Sequence, residues 1–268
     1  MNRSILRGSA LCAFLLSVCA VVSAVPATAA DVLRYSGSAQ ILEAFSYERV
    51  PAFTQKTGVK VDVGAYTSAI AVERVVNGLA DVASTAQRMT PAQAASGYVE
   101  TMFCRDPLAV IVNAECPVTD ITNQQIQAIF SGKITNWKDL GGPDKKILVI
   151  VPSDQTAAYG NFHRDVMAGN PIKADIITST STMVIETTRR MPWSISFTAQ
   201  GAARLITHGL KKLKINGIAP DEAGYPYFQE YSFVTRGTPT GVAKRFIEFC
   251  LSTEGKEIIR KKGMIPSE

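Results

Sequence analysis

The sequence has almost no histidine and lacks the patterns that usually mark catalysis or metal binding. His163 and His208 are its only histidines, and no cysteine pair has metal-ligand spacing. Neither the Gly-x-Ser-x-Gly pattern of hydrolases nor the His-Glu-x-x-His pattern of zinc peptidases occurs. These absences argue against an enzyme, so we expect a binding protein without catalytic residues, metal or cofactor.

Long apolar runs are also missing after the N-terminus. Arg3 and Arg7 precede the apolar segment from Leu11 to Val22, and small residues at 27–30 follow it. A basic start, an apolar centre and a small-residue cleavage site are typical of a secretory signal peptide, here residues 1–30. No later segment is long enough to span a bilayer. The sequence predicts a mature chain from Asp31 that is exported to the periplasm.

A strong excess of either charge is absent as well. Removing Arg3 and Arg7 leaves 26 basic against 23 acidic residues, a net charge of +3. This balance is compatible with an anionic ligand or with an ordinary solvated surface. It is far below the charge of a nucleic-acid-binding surface, so we expect no nucleic acid partner.

Cysteine is scarce and odd in number in the mature chain, where Cys104, Cys116 and Cys250 remain. A Cys104–Cys116 disulfide requires the chain to double back, because the segment from Leu108 to Val112 reads as an extended strand. Arg105 could lower the pKa of the Cys104 thiol and favour a soft metal or metalloid. The simpler alternative is a buried, apolar Cys104.

What the sequence does contain is a repeated succession of strand, turn and helix. In the first half we predict strands at 32–35, 59–65 and 81–85, with helices at 40–56 and 67–78. Pro51 predicts a kink or break near Tyr47 to Val50. In the second half we predict helices at 122–130, 157–167, 182–190, 242–251 and 254–262, and strands at 98–104, 108–112, 147–151, 176–177 and 194–198. This succession predicts parallel sheets covered by helices.

The most specific stretch runs from Ile129 to Gly142 and reads IFSGKITNWKDLGG. Gly132 suits the end of a helix, and Asn136 suits the cap of a short turn that carries Trp137. The string resembles the IFxGxIxxWxDLGG signature of PstS-like periplasmic phosphate-binding proteins, the solute-binding components of ABC transporters. The resemblance extends in order from about Leu33 to the C-terminus.

This resemblance implies an α/β, two-lobed type II periplasmic-binding-protein fold. Each lobe would be a mainly parallel sheet flanked by helices, and the ligand would bind in the cleft between the lobes. Residues 31–105 and 228–268 would form lobe 1, and residues 106–227 would form lobe 2.

The resemblance also assigns candidate ligand-binding residues. The loop after the first strand contributes Ser38 and Ala39, and the loop before the second long helix contributes Tyr66, Thr67 and Ser68. Hydroxyl groups and free backbone N–H groups at helix N-termini suit an anion. From the residues alone, simple helix capping is the favoured explanation of these hydroxyls.

Two further loops depart from the family pattern. Ala86 stands where phosphate binders have the aspartate that accepts the ligand's proton, and Pro152 stands where they have an arginine. We expect Arg88 either to take over the vacant position or to face solvent. In the second lobe, Gln155 and Thr156 are the remaining candidate ligand residues, and neighbouring Asp154 would repel an anion.

These departures predict weak phosphate binding and leave a different oxyanion or a less charged polar solute open. Trp193, Phe197, Tyr66 and Tyr159 would line a pocket for an organic solute, although aromatic residues more often belong to the core. The expected partner is a membrane permease or, alternatively, a sensor histidine kinase, and we expect a monomer.

Overall fold

The computed structural model describes residues 32–180, 182–205 and 208–268. The predicted signal peptide lies outside the described residues. Across the three described ranges, no helix combines the length and the apolar character that a bilayer span requires.

Strands and helices alternate along most of the described chain, as predicted. The strands are β1 (Val32–Ser38), β2 (Lys60–Tyr66), β3 (Val82–Thr85), β4 (Tyr98–Asn113), β5 (Asp120–Ile121), β6 (Leu148–Pro152), β7 (Ile176–Thr178), β8 (Ser194–Ala199), β9 (Leu210–Lys212), β10 (Lys214–Ile215), β11 (Phe228–Arg236) and β12 (Ile265–Pro266). The α-helices are α1 (Ala39–Ile41), α2 (Tyr47–Thr57), α3 (Ser68–Val76), α4 (Pro91–Ala95), α5 (Asn123–Phe130), α6 (Ala157–Asn161), α7 (Met183–Arg190), α8 (Gly241–Cys250) and α9 (Thr253–Lys261). A π-helical turn at Leu42–Ser46 joins α1 to α2, and another at Phe162–Val166 extends α6.

Eight of these strands run through one long sheet in the order β2-β1-β3-β11-β4-β8-β6-β7, β9 and β12 each pair with β4, and β5 pairs with β10 in a separate two-stranded sheet. On one flank β1 pairs in parallel with β2 and β3, and on the other flank β6 pairs in parallel with β7 and β8. The long strands β4 and β11 pair antiparallel between the two flanks. This arrangement confirms the predicted α/β architecture of two mainly parallel halves.

Each half has a hydrophobic core of its own. Leu33, Phe53 and Phe246 belong to the first core, which lies among β1, α2 and α8. Ile126, Trp137 and Phe197 belong to the second core, which lies around α5, β6 and β8. Because each half buries its apolar side chains internally, the space between them remains available for a cleft.

Strand β4 crosses between the halves without interruption, so the prediction of two separate extended segments is wrong. Phe103 packs in the first core and Leu108 in the second, on either side of Pro107. Proline has the backbone angle of an extended chain and lacks only the N–H group. The next N–H group, on Leu108, donates to the carbonyl oxygen of Tyr227 at 3.0 Å, so pairing with the segment before β11 resumes at once.

Near Tyr47 to Val50, where a kink or break was predicted, the helix does not break. Helix α2 continues through Pro51, and the irregularity is the π-helical turn at Leu42–Ser46. Proline removes one intrahelical hydrogen bond and crowds the turn that precedes it. A wider helical turn just before that point relieves the crowding without ending the helix.

The stretch from Ile129 to Gly142 folds as its local pattern predicts. Gly132 has the left-handed φ of +75° that ends α5. The side chain of Asn136 accepts a hydrogen bond from the backbone N–H of Lys138 at 3.0 Å and caps the following turn. Trp137 is fully buried, and its Nε1 donates to the carbonyl oxygen of Trp193 at 2.8 Å. This stretch therefore closes one end of the second core.

Cys104, Cys116 and Cys250 are buried and form no disulfide. Burial, reinforced by the nearby Asp106 carboxylate, raises the pKa of the Cys104 thiol well above its ordinary value. The idea of a reactive Cys104 thiolate beside Arg105 is therefore wrong. Cys104 is a small core residue.

Candidate functional site

A cleft of about 250 Å³ opens between the two halves, where strands end and helices begin. Its volume equals that of about eight water molecules, which suits a small solute. The residues that line it are Ser38, Ala39, Gln40, Ala65, Tyr66, Thr67, Ser68, Thr156, Ala157, Ser179, Thr180 and Thr182. Six of the eight ligand residues expected from the sequence are therefore in one place: Ser38, Ala39, Tyr66, Thr67, Ser68 and Thr156.

The first wall of the cleft consists of the segments that follow β1 and β2. Ser38 precedes α1, and its side chain does not cap that helix. Thr67 caps α3 by accepting a hydrogen bond from the N–H of Ile70 at 3.4 Å. Ser68 Oγ accepts from the N–H of Ala86 at 3.0 Å, which fixes the hydroxyl group against the end of β3. Capping and cleft lining thus coexist at Thr67, whereas Ser38 and Ser68 line the cleft without capping a helix.

The opposite wall is built from the starts of α6 and α7. Thr156 Oγ1 donates to the carbonyl oxygen of Ser153 at 2.8 Å and accepts from the N–H of Tyr159 at 3.3 Å. Thr180 Oγ1 accepts from the N–H of Met183 at 3.3 Å. The sequence reading missed the hydroxyl residues before α7. A signal was present, since hydroxyl residues fill positions 178–182 between a strand and a helix.

No side chain among the described cleft-lining residues is charged. Residues at the starts of the helical segments that begin with α1, α3, α6 and α7 line the cleft, and a helix N-terminus has a partial positive charge. Arg74 lies just behind the first wall, with its guanidinium 4.7 Å from the centre of the Tyr66 ring and its Nε donating to Ser36 Oγ at 3.0 Å. The electrostatic character is therefore mildly positive and comes from peptide dipoles more than from ionised side chains.

Arg88 and Gln155 do not line the cleft. Arg88 is 65% exposed and pairs with Glu230 at 2.9 Å, because the turn after β3 directs it to another surface groove. Gln155 is exposed and donates to Asp154 at 3.0 Å. Asp154 itself lies in a separate groove of the second half. Asp154 is therefore not one of the residues that line the cleft, although Thr156, two positions later, is.

Beneath the cleft lies a buried group of five polar residues, which we name the floor cluster: Gln40, Asp106, Asn161, Gln229 and Tyr231. Asn161 Nδ2 donates to the carbonyl oxygen of Ala86 at 2.9 Å and to Gln229 Oε1 at 3.2 Å. Gln40 Nε2 donates to Gln229 Oε1 at 3.0 Å and to the Tyr231 hydroxyl at 2.9 Å. The cluster thus connects α6 in one half to α1 and β3 in the other.

Asp106 ends this network on the crossing strand β4. Its Oδ2 accepts from the Tyr231 hydroxyl at 2.7 Å, and both of its oxygens accept from the N–H of Gly201. Among the described residues no cationic side chain pairs with it. Burial therefore raises the pKa of Asp106 to about 7, although these hydrogen bonds favour the ionised form.

The structure does not gather the four aromatic residues proposed for an organic solute. Only Tyr66 lines the cleft. Phe197 stacks on Phe162 in the second core with ring centres 3.8 Å apart, and Tyr159 stacks on His163. Within the described part of the chain, no group of three or more His, Cys, Asp or Glu residues has the geometry of a metal site.

Comparisons with known proteins agree with this architecture. The chain is similar to the phosphate-binding protein PstS of Borreliella burgdorferi, with 27% identity over 222 residues, 77% of this chain and 79% of that protein. It is also similar to the phosphate-binding protein PstS of Bacillus subtilis, with 30% identity over 165 residues, 59% of this chain and 54% of that protein.

Solved structures show the same fold. A candidate phosphate ABC transporter substrate-binding protein from Clostridium perfringens, with bound phosphate, has a TM-score of 0.78 at 23% identity and covers 89% of this chain and 100% of its own. An ABC-type phosphate transport receptor from Vibrio cholerae has a TM-score of 0.70 at 22% identity, covering 87% of this chain and 99% of its own. A family model described as the PBP superfamily domain matches residues 23–254. The chain therefore belongs to the PBP superfamily, and its structure is the two-lobed type II periplasmic-binding-protein fold.

Proposed function

We propose that this chain is the solute-binding component of an ABC transporter and that it captures a small oxyanion between its two lobes. The observation that carries the proposal is the convergence of four helix N-termini and several hydroxyl groups, from both lobes, on one cleft. Such groups supply hydrogen-bond donors to an anion without a counter-charge. The relatives that are named phosphate-binding proteins support an oxyanion as the ligand.

The chemistry of the cleft sets the expected strength of binding. A bidentate arginine contact to an oxyanion contributes about 1.5–3 kcal/mol to the binding free energy. No described cleft-lining residue provides such a contact. We propose that phosphate binds with a Kd above about 1 μM, because only backbone N–H groups, hydroxyl groups and helix dipoles hold it in the cleft. The protein would bind its ligand in the cleft and leave it chemically unchanged.

The remaining features of this proposal follow from the family architecture. Residues 1–30 would direct export to the periplasm and be removed. Residues 31–105 with 228–268 would move as one lobe and residues 106–227 as the other, which the two separate cores support. A membrane permease would accept the loaded protein, which would act as a monomer.

Isothermal titration calorimetry on the mature protein tests the proposal with phosphate, arsenate, sulfate, molybdate, arsenite and a phosphonate. Ser68→Ala removes a hydroxyl group from the first wall, whereas Ser96→Ala removes an exposed hydroxyl group after α4 in the same lobe. Ser68→Ala should weaken oxyanion binding roughly five- to tenfold, and Ser96→Ala should leave it unchanged. Absence of measurable heat with every anion would refute the proposal.

A further inference from the structure

Gln40 connects the cleft to the floor cluster. It is the second residue of α1, lines the cleft and is 5% exposed. Both hydrogens of its amide group are in use, since Nε2 donates to Gln229 Oε1 and to the Tyr231 hydroxyl. The other amide atom, Oε1, accepts from no group of the described residues. Because Gln40 Oε1 is not one of the fully buried polar atoms without a hydrogen-bond partner, it is accessible to solvent.

The orientation of this amide is fixed from one side by Asp106. The Tyr231 hydroxyl has a single hydrogen, and above about pH 7, where Asp106 is ionised, it donates that hydrogen to Asp106 Oδ2. Toward Gln40 the hydroxyl can therefore only accept. The atom of Gln40 that faces Tyr231 must be the donor Nε2.

The same orientation is fixed independently from the other side by a backbone carbonyl group. The carbonyl oxygen of Ala86 cannot donate, so the atom of Asn161 beside it must be the donor Nδ2. The atom of Gln229 that faces Asn161 must then be the acceptor Oε1, and this acceptor also requires a donor from Gln40. Two anchors thus exclude the flipped amide, which would place two acceptors against each other.

We propose that Gln40 Oε1 is the cleft's acceptor for a hydroxyl group of the ligand. The ligand class that fits is an oxyanion that keeps one protonated oxygen at neutral pH, such as hydrogen phosphate or hydrogen arsenate. Fully ionised oxyanions of the sulfate type would be disfavoured. This inference rests on the proposed function, and it assigns to Gln40 the task that the missing aspartate at Ala86 would otherwise perform.

The donors and acceptors of the walls support this selectivity. Thr67 and Ser68 each already accept a backbone hydrogen bond and keep their own hydroxyl hydrogen for the ligand, so the first wall favours ligand atoms that accept. Thr156 accepts from Tyr159 and donates to Ser153, so its hydroxyl group adds no donor. A single acceptor at Gln40 then matches a ligand with several acceptor oxygens and one hydroxyl group. A sulfate oxygen in the same place would face the carbonyl oxygen of Gln40 and leave both without a hydrogen. Loss of one such neutral hydrogen bond corresponds to roughly tenfold in affinity.

Calorimetry at pH 7.5 with inorganic phosphate and inorganic sulfate tests the inference, and arsenate with selenate gives a second matched pair. Gln40→Met removes the acceptor but keeps the side-chain length. Gln40→Leu also removes the amide group, with a shorter side chain, and serves as a second variant. Gln55→Met makes the same chemical change at an exposed position of α2 and serves as the control.

The wild type and Gln55→Met should bind phosphate at least tenfold more tightly than sulfate. In Gln40→Met and Gln40→Leu the ratio should fall to within about threefold, mainly through weaker phosphate binding. Melting curves verify that each variant is folded, and Gln40→Leu carries the test if Gln40→Met is not. Equal or tighter binding of sulfate by the wild type, or an unchanged ratio in folded variants, would overturn this inference while oxyanion capture stands. Failure of all four anions to bind would overturn both.

Discussion

The replacement of Asn161 by alanine tests whether the floor cluster holds the two lobes together. Asn161 lies on α6, and its Nδ2 donates across the lobes to the carbonyl oxygen of Ala86 at 2.9 Å and to Gln229 Oε1 at 3.2 Å. Each neutral hydrogen bond contributes about 0.5–1.5 kcal/mol. The closed form should therefore lose about 1–2 kcal/mol relative to a form with separated lobes.

If the ligand binds to the closed form, this loss weakens the apparent affinity about 5- to 30-fold. Calorimetry gives the affinity, and small-angle X-ray scattering should show a larger average radius of gyration in the unliganded variant. Asn170→Ala is the matched control, because Asn170 Nδ2 donates to Met167 within the same lobe at 2.7 Å. A normal affinity in Asn161→Ala, with an unchanged scattering profile, would show that the lobes do not depend on this contact.

Four further predictions concern stability and the limits of the site. Because the pKa of Asp106 is raised, the folded protein keeps a proton there up to about pH 7, whereas the unfolded chain loses it near pH 4. The contribution of this group to stability therefore falls as the pH rises from about 4 to about 7. In urea titrations the free energy of unfolding should fall with a slope that approaches about 1.4 kcal/mol per pH unit, relative to Asp106→Asn. Phe197→Ala should cost about 3–5 kcal/mol in urea unfolding, since it removes the ring stacked on Phe162 in the second core. Gly201→Ala should destabilise the protein by about 1–3 kcal/mol in the same assay, because an added Cβ would lie 2.7 Å from Asp106 Oδ2. Arg88→Ala should leave oxyanion affinity within about twofold of the wild type by calorimetry, and a tenfold loss would place this arginine in the site after all.

Much of the fold could be predicted because its signals are local. The alternation of strands and helices, the glycine that ends α5 and the Asn136 cap all depend on residues close together in the chain. The errors arose at prolines. Pro51 and Pro107 were expected to interrupt their elements, but one followed a π-helical turn and the other lay in a crossing strand that tolerates a missing N–H group.

The candidate site was predictable on one side of the cleft and poorly on the other. Ser38 and Ser68 follow strands directly, and both line the cleft as expected. Arg88 could not be placed from sequence, because its position depends on Glu230 in a distant strand. The same holds for the floor cluster, where Gln40 and its partner Gln229 are 189 positions apart. No local pattern reveals such a pair.

A crystal structure of the protein with arsenate, using anomalous scattering from arsenic, measures the location of the anion most directly. Our account predicts one strong peak between the lobes, within hydrogen-bond distance of Ser38, Ser68 and Thr156. A peak in any other groove, or a structure without ordered arsenate at concentrations that saturate binding in solution, would contradict it.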